Sequence, residues 1–245
     1  MGRKSSPKNR QTRINRKELT LNVVICSAFR NAESYIDRYF SQIDALDQLL
    51  TRRGDVLSLV LGYGDSTDRT DAMLFEECVC GLGARLIDCA HGGPAYTSVV
   101  DAQRFKQLAF VGNRVLANVP DDADVVVYIE SDLIWEPETI IELLNDIQWR
   151  DVVAPLIMEM SSSGFYDTFA FVKNGLNFIK TAPYHCGVNG GMIAMDSVGS
   201  CVAMRADIAR RFRLPDEDVI VGFCRQIKAA GYGIYCDTGL KVWHP

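Results

Sequence analysis

Two acidic residues, Glu130 and Asp132, directly follow a short apolar stretch from Val125 to Ile129. Such a run of β-branched and aromatic residues is typical of a strand that is buried on both faces of a parallel sheet. In open α/β sheets, ligands gather beyond the carboxyl ends of the strands, and residues two apart on an extended chain point the same way. Two oxygen ligands placed in this way suit Mg²⁺ or Mn²⁺. The acids could instead simply mark the point where the chain leaves the core, or they could cap a helix that begins at Pro137.

A second group of candidate residues lies near the other end of the sequence. Glu217 and Asp218 belong to an acidic stretch that opens a predicted helix. Acids in a first helical turn are favoured by the helix dipole whatever the function, but one of them could serve as a general base. His244 follows the last predicted strand, and a neutral imidazole can complete a metal's coordination beside carboxylates. A lone histidine is more often an ordinary surface or core residue.

The elements that must position these residues alternate between strand and helix in the first half of the chain. Strands are predicted at 21–26, 56–61, 84–88 and 125–129, and helices at 35–50, 68–82, 101–118 and from residue 137. In the second half, strands are predicted at 152–157, 165–172, 200–204, 233–236 and 240–243, a helix at 216–230, and a tight or flexible turn at 187–191. Alternation predicts a parallel sheet with right-handed crossovers. We therefore expect an α/β protein, with one domain over 20–245 built on a mixed, mostly parallel central sheet flanked by helices.

Composition narrows the class of protein. The chain has 245 residues, of which 48% are hydrophobic and 23% charged, as in ordinary globular domains. No apolar run approaches the roughly 18 residues that would span a bilayer, and no secretory h-region is present, so a soluble cytoplasmic protein is expected. Cys26, Cys89, Cys201 and Cys224 lie in or beside apolar segments, and no cysteine pairs are spaced for zinc. Reduced thiols and no structural zinc are predicted.

The charge of the chain is unevenly distributed. Residues 1–17 contain seven Lys or Arg and no acid, whereas the remainder has 19 basic against 31 acidic residues. We expect residues 1–19 to form a separate, disordered basic tail, which could touch an anionic membrane surface peripherally. The acidic remainder argues against nucleic acid as the main ligand.

A competing interpretation rests on Gly62 and Gly64, which follow a predicted strand and precede a helix, with Asp88 at the end of the next strand. This pattern imitates a dinucleotide-binding fingerprint. Thr67 replaces the third glycine, and Asp65 places negative charge where a pyrophosphate would bind. An NAD-binding Rossmann-type enzyme is therefore the weaker hypothesis.

The order of these motifs resembles that of GT-A glycosyltransferases, especially the family-2-like and fungal mannosyltransferase-like branches. The resemblance covers residues 21–245, and its segments are Ser-Ala-Phe-Arg-Asn-Ala-Glu, Gly-Asp-Ser-Thr-Asp, Asn-Arg, Glu-Ser-Asp, Glu-Asp and Val-Trp-His. It implies a metal-dependent transferase, of hexosyltransferase type, that moves a sugar from a UDP- or GDP-sugar to an acceptor hydroxyl with Mn²⁺ or Mg²⁺. A nucleotide-sugar binding protein that has lost turnover would show the same motifs.

The resemblance also implies a role for each matching residue. Asp132 and His244 match metal ligands, and Asp218, with Glu217 beside it, matches the catalytic base. The residues matching nucleotide contacts are Ser27, Ala28, Phe29, Arg30, Glu33, Tyr63, Gly64, Asp65, Arg104, Lys106, Asn113, Arg114, Glu130 and Ser131. Glu130 replaces the first Asp of the family's DxD motif, and Asn113 and Arg114 stand in the reverse of the family's order. These departures leave the base and the sugar of the donor open. Whether the reaction inverts or retains the anomeric centre is open as well.

The acceptor remains unidentified from the sequence. The segment from Ser161 to Gly191 is rich in aromatic residues and could line an acceptor site or form a lid. Its aromatic residues are Tyr166, Phe169, Phe171, Phe178 and Tyr184. Aromatic residues in strands are more often part of the core, so both interpretations stay open.

Overall fold

The computed structural model describes residues 20–80, 83–97, 100–184 and 191–245. Strands and helices alternate in the first half, as the sequence predicts. In chain order these elements are β1 (Asn22–Phe29), α1 (Ile36–Arg53), β2 (Val56–Tyr63), α2 (Thr70–Cys80), β3 (Ala84–Asp88), α3 (Ala102–Leu116), β4 (Val125–Ile129) and α4 (Pro137–Ile147). β1 pairs in parallel with β2 and β4, and β2 pairs in parallel with β3. The predicted parallel half-sheet is present.

The second half completes the same sheet with strands of both directions. Its elements are β5 (Val152–Glu159), β6 (Val172–Lys173), β7 (Leu176–Asn177), β8 (Met192–Ala194), β9 (Cys201–Arg205), α5 (Ala206–Arg211), α6 (Val219–Ala229) and β10 (Ile234–His244). The eight-stranded sheet has the order β3-β2-β1-β4-β9-β5-β10-β8, and β6 and β7 form a separate hairpin. β9 runs antiparallel to both β4 and β5, whereas β10 runs parallel to β5. The predicted mixed, mostly parallel sheet flanked by helices is confirmed.

β4 lies inside the sheet, between β1 and β9. Val126 and Val127 have no exposed surface, as expected of a strand that is covered on both faces. Helix α1 buries one face that includes Ile36, Tyr39 and Ile43. This core fixes the point at which the chain leaves the sheet, immediately before Glu130.

The predicted strand over 165–172 is wrong. Phe165 makes only an isolated bridge with Met158, and only Val172 belongs to a strand. Phe165 and Phe171 are fully buried, and their rings are 5.0 Å apart in an edge contact. The aromatic content of this stretch therefore reflects packing of a loop into the core, which short-range patterns do not distinguish from a strand.

Two other elements differ in extent from the sequence prediction. The two predicted closing strands form one strand, β10, whose register against β5 shifts between Asp237 and Lys241. The predicted helix at 216–230 begins only at Val219. The tail at 1–19, residues 81–82 and the predicted turn at 187–190 lie outside the described residues.

The described cysteines are free, and Cys26, Cys89, Cys201 and Cys224 are buried, in agreement with the prediction. Burial raises the pKa of the Cys26 thiol, which suits a small core residue rather than a reactive one. Within the described part of the chain, no helix combines the length and the apolar character that crossing a membrane requires.

Candidate active site

A cleft of about 990 Å³ opens beyond the carboxyl ends of β1, β2 and β4. Its polar lining residues are Arg30, His91, Arg104, Gln107, Glu130, Ser131, Asp132, Asp167, Lys180, Ser200 and His244. Its apolar lining includes Phe29, Tyr63, Val100, Leu108, Tyr166, Phe169, Leu214, Val219 and Ile220. This is the edge at which open α/β sheets bind ligands.

Asp132 and His244 meet on the floor of this cleft. The Oδ2 atom of Asp132 lies 3.3 Å from Nε2 of His244. The backbones of Ile134 and Trp243 exchange two hydrogen bonds of 2.8 Å, which hold the chain after β4 beside the end of β10. The ring of Tyr166 stacks on that of His244 with centroids 3.8 Å apart. The two residues that the sequence predicts as metal ligands are thus adjacent and held in place from both sides.

The charge state of His244 bears on what this pair can bind. Burial lowers the pKa of His244. The hydrogen bond to Asp132 and the negative charge of Asp132 raise it by more, with smaller contributions in the same direction from Pro245 and Glu130. The pKa is therefore raised above its usual value. Nδ1 lies 3.0 Å from the main-chain oxygen of Pro245. If Nδ1 donates a hydrogen bond to this oxygen, Nε2 has two possible states. It either carries a proton and donates it to Asp132, or it is unprotonated and its lone pair faces the carboxylate of Asp132. A cation between the two groups would remove the repulsion in the second state.

The donor set fits a divalent cation that shares its coordination with a ligand. Among the described residues, no group of three or more His, Cys, Asp or Glu is arranged to hold a metal ion. Asp132 and His244 supply two donors, one oxygen and one nitrogen. Mg²⁺ and similar ions are often held by one or two carboxylates, with phosphates and water completing the shell. The pair therefore fits an ion that binds together with a phosphate-bearing ligand.

Glu130 and Asp167 form a second acidic group in the cleft, linked through Ser200. Glu130 lines the cleft and keeps exposed surface there. Desolvation by the surrounding protein, with the charges of Asp132 and Asp167, raises the pKa of Glu130 against the opposing effects of His244 and Ser200.

Asp167 is buried in the wall of the cleft. Its Oδ1 accepts from the backbone N–H of Ala170 at 3.0 Å, and its Oδ2 accepts from Oγ of Ser200 at 2.9 Å. Burial raises the pKa of Asp167, although these two hydrogen bonds and the nearby His244 act in the opposite direction. Each carboxylate oxygen retains a lone pair for a ligand. Asp167 is a fixed acceptor on the side of the cleft that the 161–191 segment forms.

At the β1 and β2 end, Arg30 and Asp65 organise a loop. Asp65 accepts from the backbone N–H groups of His91 at 2.8 Å and Gly92 at 3.1 Å, and these bonds lower its pKa, the bond from His91 most strongly. Arg30 donates to the carbonyls of Gly93 at 2.7 Å and Pro94 at 3.1 Å. The two side chains that the sequence predicts as nucleotide contacts therefore fix the loop after β3, which lines the cleft.

The glycine pattern at 62 and 64 has a packing explanation. Gly64 has φ 146°, and a Cβ there would lie 2.5 Å from the backbone nitrogen of Ala90. The backbone N–H groups of Thr67, Arg69 and Thr70 at the start of α2, where a pyrophosphate would bind, already donate to Asn31, Glu33 and Asp68. This arrangement favours close packing of two loops over dinucleotide binding.

Ten of the residues that the sequence predicts for the site line the cleft. They are Ala28, Phe29, Arg30, Tyr63, Gly64, Arg104, Glu130, Ser131, Asp132 and His244. Ser27 does not reach it, because its hydroxyl is buried, donates to the Ile129 carbonyl at 2.8 Å and accepts from Tyr39 at 2.9 Å. Glu33 accepts from the backbone N–H of Arg69 at 3.0 Å, which places it at the start of α2.

Three predicted nucleotide contacts on α3 occupy other positions. Lys106 is exposed. Asn113 exchanges two hydrogen bonds of 2.8 Å with the backbone of Leu214, and Arg114 lies over the ring of Phe110 at 5.4 Å. Asn113 thus ties α3 to the segment before α6.

The predicted catalytic acids are not brought to the centre of the cleft. Glu217 is exposed, and the carboxylate of Asp218 forms an ion pair with Arg225 on the exposed side of α6. Val219, which does line the cleft, has φ 45°, a strained conformation for a β-branched residue. The acids that line the cleft are instead Glu130, Asp132 and Asp167.

The aromatic segment divides between the two alternatives. Tyr166 and Phe169 line the cleft, whereas Phe171 and Phe178 are buried in the core. Tyr184 packs on Phe165 with ring centroids 5.9 Å apart. The core interpretation is therefore correct for Phe171 and Phe178, whereas an acceptor site at Tyr166 and Phe169 stays a prediction.

Sequence reasoning missed several polar lining residues, namely His91, Gln107, Asp167, Lys180 and Ser200. Gln107 offered no periodic signal, because it lies two residues from both Phe105 and Ala109 and therefore on another face of α3, beside Gly93. Asp167 and Ser200 offered none, since they lie in irregular chain that only the tertiary fold brings to β4.

No family model and no curated protein matches the sequence. Solved structures do match it in three dimensions. The mannosyltransferase PcManGT from Pyrobaculum calidifontis, in complex with GDP-Man and Mn²⁺, superposes with a TM-score of 0.59 over 91% of this chain and 56% of its own, at 14% identity. S. aureus TarS 1-349, in complex with UDP-GlcNAc, superposes with a TM-score of 0.58 over 92% of this chain and 58% of its own, at 15% identity.

The chain has the GT-A fold. It spans a little over half the length of both glycosyltransferases. At this level of identity the likeness concerns the fold, and the expected α/β architecture is confirmed by it. The site must be argued from the residues of this GT-A domain.

Proposed function

We propose that the protein is a metal-dependent glycosyltransferase that transfers a sugar from a nucleoside-diphosphate sugar to an acceptor hydroxyl. The supporting observation is the contact of Asp132 with His244 at 3.3 Å on the floor of a large cleft at the carboxyl ends of the strands. The two structural neighbours hold GDP-Man with Mn²⁺ and UDP-GlcNAc. UDP- and GDP-sugars are therefore the proposed donors, and Mn²⁺ or Mg²⁺ the proposed ion.

In this proposal Asp132 and His244 hold the ion, and the donor's diphosphate lies over the end of β4. A divalent ion bound there would stabilise the negative charge that develops on the leaving diphosphate. Arg104 and Lys180 also line the cleft and add positive charge for a phosphate-bearing ligand. The ion beside Glu130 would also favour its ionised form, which could then accept hydrogen bonds from a ribose.

Asp167 is the carboxylate best placed to accept the acceptor's proton. It lines the cleft beside Tyr166 and Phe169. In the transfer step, the acceptor oxygen forms a bond to the anomeric carbon, the bond to the diphosphate breaks, and the hydroxyl proton passes to the carboxylate. The role predicted for Asp218 would require it to leave Arg225 first.

The first experiment measures UDP and GDP binding by calorimetry with and without Mn²⁺. Asp132→Ala should abolish the Mn²⁺-dependent part of the binding while leaving the melting temperature close to that of the wild type. Asp121→Ala, on an exposed turn, is the matched control and should bind as the wild type does. Unchanged nucleotide affinity of the Asp132 variant in Mn²⁺ would contradict the proposal.

A second candidate function is a nucleotide-sugar binding protein without turnover. The pairing of Asp218 with Arg225, away from the cleft centre, favours it. Incubation with a panel of sugar nucleotides separates the two functions, because an enzyme should release nucleoside diphosphate slowly by hydrolysis even without its acceptor. Tight binding with no release would favour the second function.

A further inference from the structure

Gln107 carries an unpartnered donor at the side of the cleft. Its side chain lines the cleft, and the residue is only 8% exposed. Within the described part of the chain, its Nε2 atom is buried and has no hydrogen-bond partner. An unsatisfied buried donor costs about 1–3 kcal/mol, so a ligand that supplies an acceptor would recover free energy at this position.

The surroundings of Gln107 are fixed. A Cβ on Gly93 would lie 2.1 Å from Nε2 of Gln107, so the glycine allows the amide its place. Gly93 itself is held by Arg30, which donates to its carbonyl, and its own N–H donates to Nδ1 of His91 at 3.0 Å. Rotation about the terminal bond of a glutamine is soft, which lets the amide turn its donor toward the cleft without moving this loop.

The position of Gln107 along the cleft identifies the part of the ligand that it would meet. The loop that carries Gly93 follows β3, which is three strands from β4 in the order β3-β2-β1-β4. At roughly 4.8 Å per strand this separation is about 14 Å. A nucleoside diphosphate with its phosphates at Asp132 would extend its base toward β2 and β3, between Tyr63 and this loop.

We propose that Gln107 binds the nucleobase of the donor by donating a hydrogen bond to a carbonyl oxygen of uracil or guanine. Inorganic pyrophosphate has no base and therefore cannot pair with this buried donor. This inference rests on the proposed function, since it assumes that a nucleoside diphosphate occupies the cleft. Gly93 is a positioning residue that leaves room for the amide.

The test compares the binding of UDP, GDP and inorganic pyrophosphate, each with Mn²⁺, to the full chain by calorimetry. Gln107→Leu removes the amide with little change in size. It should weaken the better of UDP and GDP by about tenfold, which corresponds to one hydrogen bond, and leave pyrophosphate unchanged. Gly93→Ala should reproduce this loss by displacing the amide. Gln103→Leu, the same change at an exposed position one turn earlier on α3, should behave as the wild type.

The melting temperature without nucleotide distinguishes recognition from a structural role. Because the amide donor has no described partner, Gln107→Leu should keep or raise the melting temperature. Equal weakening of all nucleotides and pyrophosphate, or no weakening of any, would overturn the role of Gln107 while leaving the proposed function in place. Absence of any Mn²⁺-dependent nucleotide binding by the wild type would overturn both.

Discussion

The carboxylate of Asp218 contacts the guanidinium of Arg225 on the exposed side of α6. No side-chain hydrogen bond from Asp218 caps this helix, although the residue lies at its N-cap position. Asp167 lies in the cleft wall instead, with Ser200 and Ala170 holding its two oxygens. Asp218, at the start of α6, is therefore paired away from the cleft, and Asp167 is the acid that lies beside it.

Asp167→Asn should lower sugar transfer by about 10²-fold or more, because a neutral amide cannot take the proton of the acceptor hydroxyl. Nucleotide affinity in Mn²⁺ should remain within a few-fold of the wild type. The readout is the rate of nucleoside diphosphate release with a productive sugar nucleotide. The matched variant Asp218→Asn should retain transfer within a few-fold. A loss confined to the Asp218 variant would assign the base to Asp218 and show that its pairing with Arg225 opens during the reaction.

His244→Ala should weaken Mn²⁺ binding at least tenfold, since it removes one of the two proposed protein ligands. Manganese titration followed by electron paramagnetic resonance measures this affinity directly. Wild-type affinity should fall as the pH is lowered, because the proton and the ion compete for Nε2 and Asp132 raises the pKa of His244. His91→Ala, which changes the other histidine of the cleft, should bind Mn²⁺ as the wild type does.

Asn113→Ala should destabilise the protein by about 1–3 kcal/mol, because it leaves the backbone N–H and C=O of Leu214 without their side-chain partners. Chemical denaturation measures the change in the free energy of unfolding. Lys106→Ala, on the exposed side of the same helix, should change it by less than about 0.5 kcal/mol. If Asn113→Ala instead weakened nucleotide binding at unchanged stability, the contact role predicted from the sequence would be the correct one.

Asp146→Asn should stabilise the protein at neutral pH. Burial, with the charges of Asp237 and Glu142, raises the pKa of Asp146 to about 6, so the folded state holds this proton more tightly than the unfolded chain. Stability therefore falls as the pH rises from about 4 to 6, and the ionised carboxylate is unfavourable above that range. Partial exposure screens part of the cost, and we expect a gain of about 1 kcal/mol at pH 7.5.

Melting curves of the wild type and Asp146→Asn between pH 4 and 8 check this sign. The two proteins should converge near pH 4 and separate as the pH rises. Asp121→Asn, on an exposed turn, should follow the wild type at every pH. A gain that is the same at pH 4 and pH 8 would show that the effect of the substitution is not electrostatic.

The local signals in the sequence determined much of the framework. Short apolar runs in the sequence located β1, β2, β3 and β4. A parallel strand that is buried on both faces must be apolar on both faces, so it appears in the sequence as a continuous apolar run. The position of Glu130 and Asp132 after β4 followed from the same pattern. A loop that packs into the core carries similar apolar and aromatic residues, so a strand was predicted over 165–172 where the chain is mostly irregular.

The tertiary structure decided which polar residues meet. The sequence suggested Asp132 and His244 as metal ligands without showing that they are neighbours. They touch because β9 lies antiparallel between β4 and β5 and β10 then pairs in parallel with β5. Asn113, Glu33 and Asp65 have residue types suited to a nucleotide, but each bonds to the protein's own backbone. The sequence names the groups that could bind a ligand, whereas only the fold shows which of them are already paired, because hydrogen-bond partners distant in sequence are set by strand order.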